Sequence, residues 1–387
     1  MPVMMLNCNS QSLSSTPEME PEIWSQLPEE LLERVLAFLP LKNFFNLRCT
    51  CKRFNSLLFS PSFISIHSSV SSSSPLGDRA IVPPHLSPFL LLSHPQFDYQ
   101  FPLYDSILGR WRNLSLSLTL PSSYVPAHLL SISNGLLCFS RPNSSSFLVC
   151  NLVSRSSRFI EFPAYPFSFE FLSLIPSSNG NGYKMFVLSV GSSSNTAFVY
   201  DSRANSWSQF ESSRQILNNN SHQEGVLFDG HLYFTTPEPF SIVGFELETG
   251  KWARPIDAEL PGELTFVRLV NSGEGKLYMV GGIGEHAISR SVKLWEWGEG
   301  NGWVEVQRLP EMMCRKFTSV CYHNYEHVYC FCHDGMVCVF CYTWPEILYY
   351  KVSTRSWHWL PKCPSLGEKW ICGFRWFSFV PDLYTSV

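Results

Sequence analysis

Apolar residues follow two different periods along the 387-residue chain. Between residues 22 and 63 they recur with helical spacing, whereas from residue 89 onward they form short strand-like runs separated by polar turns. Apolar residues make up 45% and charged residues 16% of the chain, and the aromatic share of 15% favours strands. A chain of this length exceeds one ordinary core. The pattern therefore predicts a multidomain α plus β protein, in which a short three-helix domain precedes an all-β domain.

The helical segment begins at Leu27-Pro28-Glu29-Glu30. A proline near the first helical position and two carboxylates at the positive end of the helix dipole are both typical of a helix start. Pro40 ends this helix, because the residue before a proline avoids helical backbone angles. Two more short helices are predicted at residues 44–47 and 51–58. A unit of about 40 residues buries little surface alone, so its apolar stripe either binds a partner or packs against the rest of the chain.

Three stretches of this segment resemble the F-box family: residues 27–40 (LPEELLERVLAFLP), 47–54 (LRCTCKRF) and 60–63 (SPSF). One departure is Phe54, where many members have Trp. The resemblance implies that the segment binds a Skp-family adaptor and, through it, a cullin scaffold. It assigns the adaptor contact to nine residues, of which the last two are supporting: Leu27, Pro28, Leu31, Leu32, Val35, Leu36, Leu39, Cys51 and Phe54.

A repeat of 45 to 55 residues runs through the remainder of the chain. In each copy an apolar strand ends in a polar residue, and in five copies a Trp opens the next strand six or seven positions later. The strand-end residues are Asp105, Asn151, Asp201, Glu246, Glu296 and Lys351; the tryptophans are Trp111, Trp207, Trp252, Trp303 and Trp357, with Phe159 in the degenerate second copy. Four strands in each of six copies predict a six-bladed β-propeller, in which the tryptophans pack between blades.

The two ends of the repeat region complement each other. The first copy lacks an innermost strand, and residues 370–381 form a strand with no blade of their own. Pairing the two closes the ring and protects both strand edges. The region, including Gly-Phe-x-Trp-Phe at 373–377, resembles plant F-box/kelch-repeat proteins, which implies a kelch-type propeller. The other innermost strands are predicted to begin near His128, Ser168, His222, Leu264 and Lys316.

The predicted organisation has four parts: a disordered N-terminus at 1–21, the F-box at 22–66, a Ser/Pro-rich linker at 67–88, and the propeller at 89–387. The N-terminus lacks the features of a signal peptide, and no apolar run approaches the ~18 residues that a membrane span needs. The thirteen cysteines have no framework spacing and are expected to be reduced thiols. These features predict a location in the nucleus, the cytoplasm or both.

The stretch from Cys314 to Cys341 is rich in Cys and His, which leaves two interpretations, a zinc site or core packing. Strand alternation puts Cys330 and Cys332 on one face, and Cys338 and Cys341 on opposite faces. This arrangement favours core packing, because buried Cys behaves as a small apolar residue. The chain also lacks a phosphate loop and any nucleophile or metalloprotease motif. We therefore predict no catalytic residue, no cofactor and no metal.

The favoured function is the substrate-recognition subunit of a Skp-cullin-F-box ubiquitin ligase, a non-catalytic bridge between adaptor and target protein. The alternatives are a non-degradative F-box scaffold, such as a partner of a transcription regulator, and a propeller enzyme with a helical appendage. A net charge of −4 and scattered basic residues argue against nucleic acid, and no membrane partner is predicted.

Target binding is predicted at the loops that join the outer strand of one blade to the inner strand of the next. Arg315 and Lys316 would form a basic anchor for an acidic or phosphorylated segment. The alternative is an ordinary solvated rim. The residues assigned to this hypothesis are His222, Arg315, Lys316, Glu368 and Lys369.

Overall fold

The protein is described by a computed structural model. The residues it describes are 22, 26–39, 43, 46–47, 50–57, 59–72, 87–97, 100–115, 128–140, 144–164, 169, 171–177, 182–190, 195–211, 224–253, 259–273, 275–298, 300, 302–322 and 324–387. The chain divides into two compact units, Met1–Pro83 and Pro84–Val387. Among the described helices, none has both the length and the apolar character needed to cross a membrane.

The first unit contains three described helices: α1 (Glu29–Ala37), α2 (Lys52–Leu57) and α3 (Pro61–Ser72). Helix α1 begins directly after Pro28 and has Glu29 and Glu30 in its first turn, as the sequence predicts. Helix α2 agrees with the predicted third helix. The predicted helix at 44–47 and the predicted disordered segment 1–21 fall largely or wholly outside the described residues.

Helix α3 packs against α1 and ties the unit together. Phe63 of α3 is fully buried, and the Ser62 hydroxyl donates a hydrogen bond to the Glu33 carboxylate at 3.2 Å. The His67 ring Nε2 donates to the Leu39 carbonyl at 3.0 Å. Helix α3 thus extends through residues 67–72, which the serine-rich composition predicts as linker. The helix forms there because Phe63 and His67, one turn apart, are both buried. The serine-rich composition of the segment does not indicate this packing.

The second unit consists of six four-stranded antiparallel sheets, which confirms the six-bladed propeller. From inner to outer strand, the blades are β24 (Arg375–Phe379), β1 (Phe89–Ser93), β2 (Gln100–Asp105), β3 (Arg110–Ser115); β4 (His128–Ser133), β5 (Leu136–Ser140), β6 (Ser146–Asn151), β7 (Ser156–Glu161); β8 (Phe171–Pro176), β9 (Tyr183–Val190), β10 (Asn195–Asp201), β11 (Ser206–Glu211); β12 (Val226–Phe228), β13 (His231–Thr235), β14 (Ile242–Glu246), β15 (Trp252–Ala253); β16 (Leu264–Asn271), β17 (Leu277–Glu285), β18 (Ile288–Gly298), β19 (Gly302–Arg308); and β20 (Val328–His333), β21 (Met336–Cys341), β22 (Ile347–Lys351), β23 (Ser356–Trp359).

The C-terminal strand completes the first blade, as predicted. Strand β24 pairs antiparallel with β1, in a register that places Leu91 opposite Phe377. It also contacts β4 and β20, the inner strands of the two neighbouring blades. Beyond β24, the Asn151 side-chain amide donates to the carbonyls of Asp382 and Thr385 at 2.8 and 2.9 Å. The C-terminal segment therefore closes the ring and is anchored on the second blade.

The repeated polar residue at the end of each third strand builds a turn. The Asp105 carboxylate accepts hydrogen bonds from the amides of Ile107 and Leu108 at 3.1 and 2.9 Å. Asn151 and Asp201 bind the corresponding turn amides in their own blades. Such Asx turns reverse the chain with local bonds. They explain why the following Trp keeps a nearly constant distance from the polar residue.

The repeated tryptophans are structural, as predicted. In the first blade Trp111 lies opposite Tyr104 across the β2–β3 pair, with ring centroids 5.3 Å apart. Equivalent cross-strand aromatic pairs occur in four other blades. Each of the five tryptophans packs against one of the apolar clusters between sheets. The aromatic pair therefore fastens the outer strand of a blade to the core.

The predicted inner strand near Lys316 is wrong. Residues Glu311–Val320 form a helix, α4, inserted between the fifth and sixth blades, and the inner strand of the sixth blade is β20. The buried residues of α4 and its C-cap are Cys314, Phe317, Thr318 and Cys321, which have the spacing of one helical face. The inner strands predicted near Ser168 and His222 begin at Phe171 and Val226, and both predicted starting residues lie outside the described part of the chain.

Candidate functional site

Helix α1 divides the predicted adaptor-binding residues into two faces. Leu32 and Leu36 are only 5% exposed and contribute to the core of the first unit. Leu31 and Val35 are 47% and 42% exposed, and Phe38 continues the same face at 73%. Leu32 and Leu36 therefore have little surface to offer a partner in this arrangement. The exposed face of Leu31, Val35 and Phe38 is called the α1 stripe below.

The other predicted adaptor residues occupy mixed environments. Leu27, Leu39 and Phe54 are half-buried, whereas Pro28 and Cys51 are exposed. The Cys51 thiol accepts a hydrogen bond from the Phe54 amide at 3.4 Å, which closes the first turn of α2. The sequence prediction omits Phe38, although its i+7 spacing from Leu31 is a signal that could have included it. The role of all nine residues in adaptor binding stays a prediction.

The predicted basic anchor has local acidic partners. Arg315 lies on α4 rather than in a loop and pairs with Glu311 one turn earlier. The Lys316 ammonium pairs with Glu346 and lies 4.1 Å from the centroid of the Trp359 ring. These contacts compete with an acidic segment of a target for both cations. Their role in target binding stays a prediction.

The other residues of that hypothesis belong to different segments of the chain. Glu368 and Lys369 are exposed in the segment that joins β23 to β24. His222 is outside the described residues. Among the four of these residues that the structure describes, Arg315 and Lys316 are neighbours on α4, and Glu368 and Lys369 are neighbours in the β23–β24 connection.

The cysteine-rich segment is core, which agrees with the favoured interpretation. Cys338 and Cys341 lie on opposite faces of β21, and each belongs to a different apolar cluster. Burial raises the pKa of Cys330 to about 12. Cys341 is different, because a hydrogen bond with Cys321 lowers its pKa to about 7. Within the part of the chain that the structure describes, no group of three or more His, Cys, Asp or Glu side chains could hold a metal.

Two cavities lie in the propeller, about 470 and 210 Å³ in volume. The larger is lined by side chains from the inner strands of several blades, among them Leu130, Phe171 and Tyr329. Glu224, Tyr329 and Arg375 line both cavities, which places these three polar groups where the cavities meet. The volume of the larger cavity is in the range of small-molecule pockets. The sequence gives no motif for this site, because its residues are distributed over the whole repeat region.

Comparison with known protein families agrees with both units. Residues 24–65 match the F-box domain, and residues 113–285 match the F-box associated beta propeller domain. These matches, with the six blades, define an F-box protein with a C-terminal propeller.

Individual relatives match this chain over more than nine-tenths of its length. F-box/kelch-repeat protein At5g43190 of Arabidopsis thaliana is 51% identical, over 97% of this chain and 91% of the relative. Two more distant Arabidopsis thaliana proteins are F-box only protein 6, at 27% identity over 92% of this chain and 74% of the relative, and Protein UNUSUAL FLORAL ORGANS, at 26% over 92% and 82%. The chain belongs to the F-box/kelch-repeat protein family.

Proposed function

We propose that this chain is the substrate-recognition subunit of a Skp-cullin-F-box ubiquitin ligase. In this proposal the F-box binds a Skp-family adaptor, the adaptor binds a cullin, and the propeller holds a protein target for ubiquitination and proteasomal degradation. The chain itself catalyses nothing. It acts by proximity, since tethering a target raises the effective concentration of its lysines near the charged ubiquitin carrier. The proposed location is the nucleus, the cytoplasm or both.

The observation that carries this proposal is the α1 stripe in a unit that matches the F-box domain. Its three apolar side chains are exposed on one helix whose opposite face is already buried. Exposed apolar groups that cluster on one helix face are typical of a protein-binding surface. Membership of the F-box/kelch-repeat family supports an adaptor as the partner.

The adaptor step is tested with the triple variant Leu31→Ala, Val35→Ala, Phe38→Ala in the full chain. We expect at least ten-fold weaker binding to a Skp-family adaptor, because anchor residues at an interface centre contribute roughly 2 kcal/mol or more each. The measurement is titration of purified adaptor against purified chain. A matched control replaces three equally exposed apolar residues of the propeller, Ile107, Ile288 and Val304, by Ala. Unchanged adaptor affinity in the α1 variant would overturn the proposed contact.

The degradation step needs a separate experiment. Proximity labelling is carried out with the full chain and with the α1 triple variant, with and without a proteasome inhibitor. A receptor for degradation predicts captured proteins whose abundance rises on inhibition only with the full chain. Captured proteins whose abundance is unaffected by both the inhibitor and the α1 variant would instead identify a non-degradative scaffold.

A further inference from the structure

Arg375 is a half-buried cation that borders both propeller cavities. Its guanidinium donates one hydrogen bond to the Leu129 carbonyl at 2.9 Å and one to the Leu130 carbonyl at 3.0 Å. A guanidinium has five N–H donors. The other three have no hydrogen-bond acceptor among the described residues, and none of the ion pairs within 4.0 Å that join described residues includes Arg375. The guanidinium also lies 5.1 Å from the centroid of the Phe377 ring. It is thus fixed in position, and three of its N–H groups make no hydrogen bond to a described residue.

Arg268 provides an internal comparison, since it is a second arginine on an inner strand. It also bridges two blades through backbone carbonyls, but it makes four such bonds, to Val267, Tyr325, Glu326 and Val328. Arg268 borders neither of the two cavities. Bridging blades therefore uses four of the five donors of Arg268, whereas only two donors of Arg375 join β24 to β4.

Glu224 is the carboxyl group that borders the same two cavities as Arg375, and it neutralises the charge of Arg375 only in part. It borders both cavities and accepts a hydrogen bond from the Ser131 hydroxyl at 2.9 Å. Burial raises the pKa of Glu224 to about 7, although Arg375 and Ser131 act in the opposite direction. At neutral pH the two cavities are therefore bordered by a full positive charge on Arg375 and only a partial negative charge on Glu224. Burial of an incompletely paired charge is costly, and an anionic ligand would offset that cost.

The residues that line the larger cavity indicate what kind of molecule would fit beside Arg375. Leu130, Phe169, Phe171 and Leu172 form an apolar lining. Tyr329, Tyr342 and His327 add polar groups on the side of the sixth blade. One anchored cation within a mainly apolar and aromatic cavity suits a molecule with a single negative group and an apolar body.

We propose that the larger cavity of the propeller binds a small organic acid. The carboxylate of the acid lies on the N–H groups of Arg375 that no described residue uses, and its apolar body lies against Leu130, Phe169 and Phe171. This ligand site goes beyond the proposed ligase function and does not depend on it. A carboxylate suits this position, because its planar pair of oxygens matches two neighbouring guanidinium N–H groups.

Protonation of Glu224 should accompany binding. A ligand carboxylate beside Arg375 repels the ionised form of Glu224, so the ligand prefers the protonated form, and binding weakens as pH rises through about 7. The titratable groups that share the cavities with Glu224 are Arg375, Tyr329, Tyr342, His327, Cys330 and Cys332. Because His327 is among them, a Glu224→Gln variant is needed to assign the pH dependence to the carboxyl group.

The test uses the full chain with hydrocinnamate as the probe and the neutral hydrocinnamamide as its matched control, measured by saturation-transfer NMR titration. We expect the acid to bind and the amide to bind at least ten-fold more weakly. With Glu224 titrating at about 7, the Kd of the acid should rise by up to about ten-fold between pH 6 and pH 8. In Glu224→Gln this dependence should disappear, with the pH 6 affinity retained at pH 8.

Leu130→Trp fills the cavity and Leu130→Ala enlarges it, so this pair distinguishes loss of space from loss of folding. The Trp variant should lose the acid and keep its cooperative unfolding, whereas the Ala variant removes one apolar contact but no space, so it should still bind the acid, a few-fold more weakly than the unaltered chain. Arg375 itself is left unchanged, because it joins β24 to β4. Three outcomes would overturn the proposal: no binding of the acid, equal binding of acid and amide, or binding that the folded Trp variant retains. None of them bears on adaptor binding by α1.

Discussion

The two units of the chain treat their apolar residues in opposite ways. In the first unit α1 buries Leu32 and Leu36 but leaves Leu31, Val35 and Phe38 in a continuous exposed stripe. In the propeller, each sheet buries both faces against neighbouring sheets, and the exposed large apolar residues are dispersed over turns, strands and α4. A small helical unit has too few elements to cover its own apolar surface. In this unit, apolar side chains of one helix form both the core and the exposed stripe. In the propeller, nearly all large apolar side chains belong to the core.

The largest expected effect comes from removing the strand that closes the propeller ring. Deleting residues 374–387 removes β24, exposes the edges of β1 and leaves the carbonyls of Leu129 and Leu130 without Arg375. We expect loss of the cooperative unfolding transition of the propeller, measured by tryptophan fluorescence in urea. The proposed binding of an adaptor to the α1 stripe serves as the control, since the stripe belongs to the other unit. A soluble truncated chain with an intact cooperative transition would show that closure does not depend on β24.

A second experiment sharpens the contrast within α1. Leu36→Ala removes a buried side chain and should destabilise the first unit by about 2–5 kcal/mol, whereas Leu31→Ala should change its stability by less than about 1 kcal/mol. Hydrogen–deuterium exchange of the full chain reads the two effects from peptides of α1 and α3. Peptides from the propeller are the internal reference. Equal loss of protection in both variants would contradict the assignment of the two residues to different faces.

The smallest expected effect concerns the charged surface of α4. Arg315→Gln with Lys316→Gln removes two surface ion pairs, which contribute about 0–1 kcal/mol each, so the thermal midpoint should change by only a few degrees. If the pair anchors an acidic segment, the set of captured target proteins should shrink while adaptor binding stays intact. Glu311→Gln with Glu346→Gln is the matched control, because it frees the same cations. An unchanged set of captured proteins in both variants would exclude this surface as the receptor.

The parts of the fold that the sequence predicts are those with a local signal. Pro28 and Glu29 mark the start of α1, and the spacing of Asp105 and Trp111 marks a turn and its following strand. Ring closure by β24 follows from an unpaired strand at each end. Helix α4 is not predicted, because the repeat calls for an inner strand at this position. The helical spacing of Cys314, Phe317 and Cys321 is the signal that indicates a helix. The extension of α3 through His67 was missed because serine is the prevailing residue type there.

The candidate sites divide in the same way. The α1 stripe is predicted only in part: the predicted adaptor residues include Leu31 and Val35 but omit Phe38, and they include the buried Leu32 and Leu36. The channel chemistry could not be predicted, because Glu224 and Arg375 are distant in sequence and meet only when the ring closes. Neither residue belongs to a motif. Sites formed by the inner strands of a propeller are therefore invisible to pattern analysis even when the blades themselves are clear.

The position of β24 also sets the order in which the protein becomes functional during synthesis. The F-box helices end at Ser72, whereas the first blade lacks its inner strand until Phe379 has left the ribosome. At about 5–20 residues per second, the intervening stretch of about 300 residues takes roughly 15–60 seconds to make. For that interval the proposed adaptor-binding unit exists without a closed propeller. A nascent chain that stalls late thus carries the F-box without the complete ring.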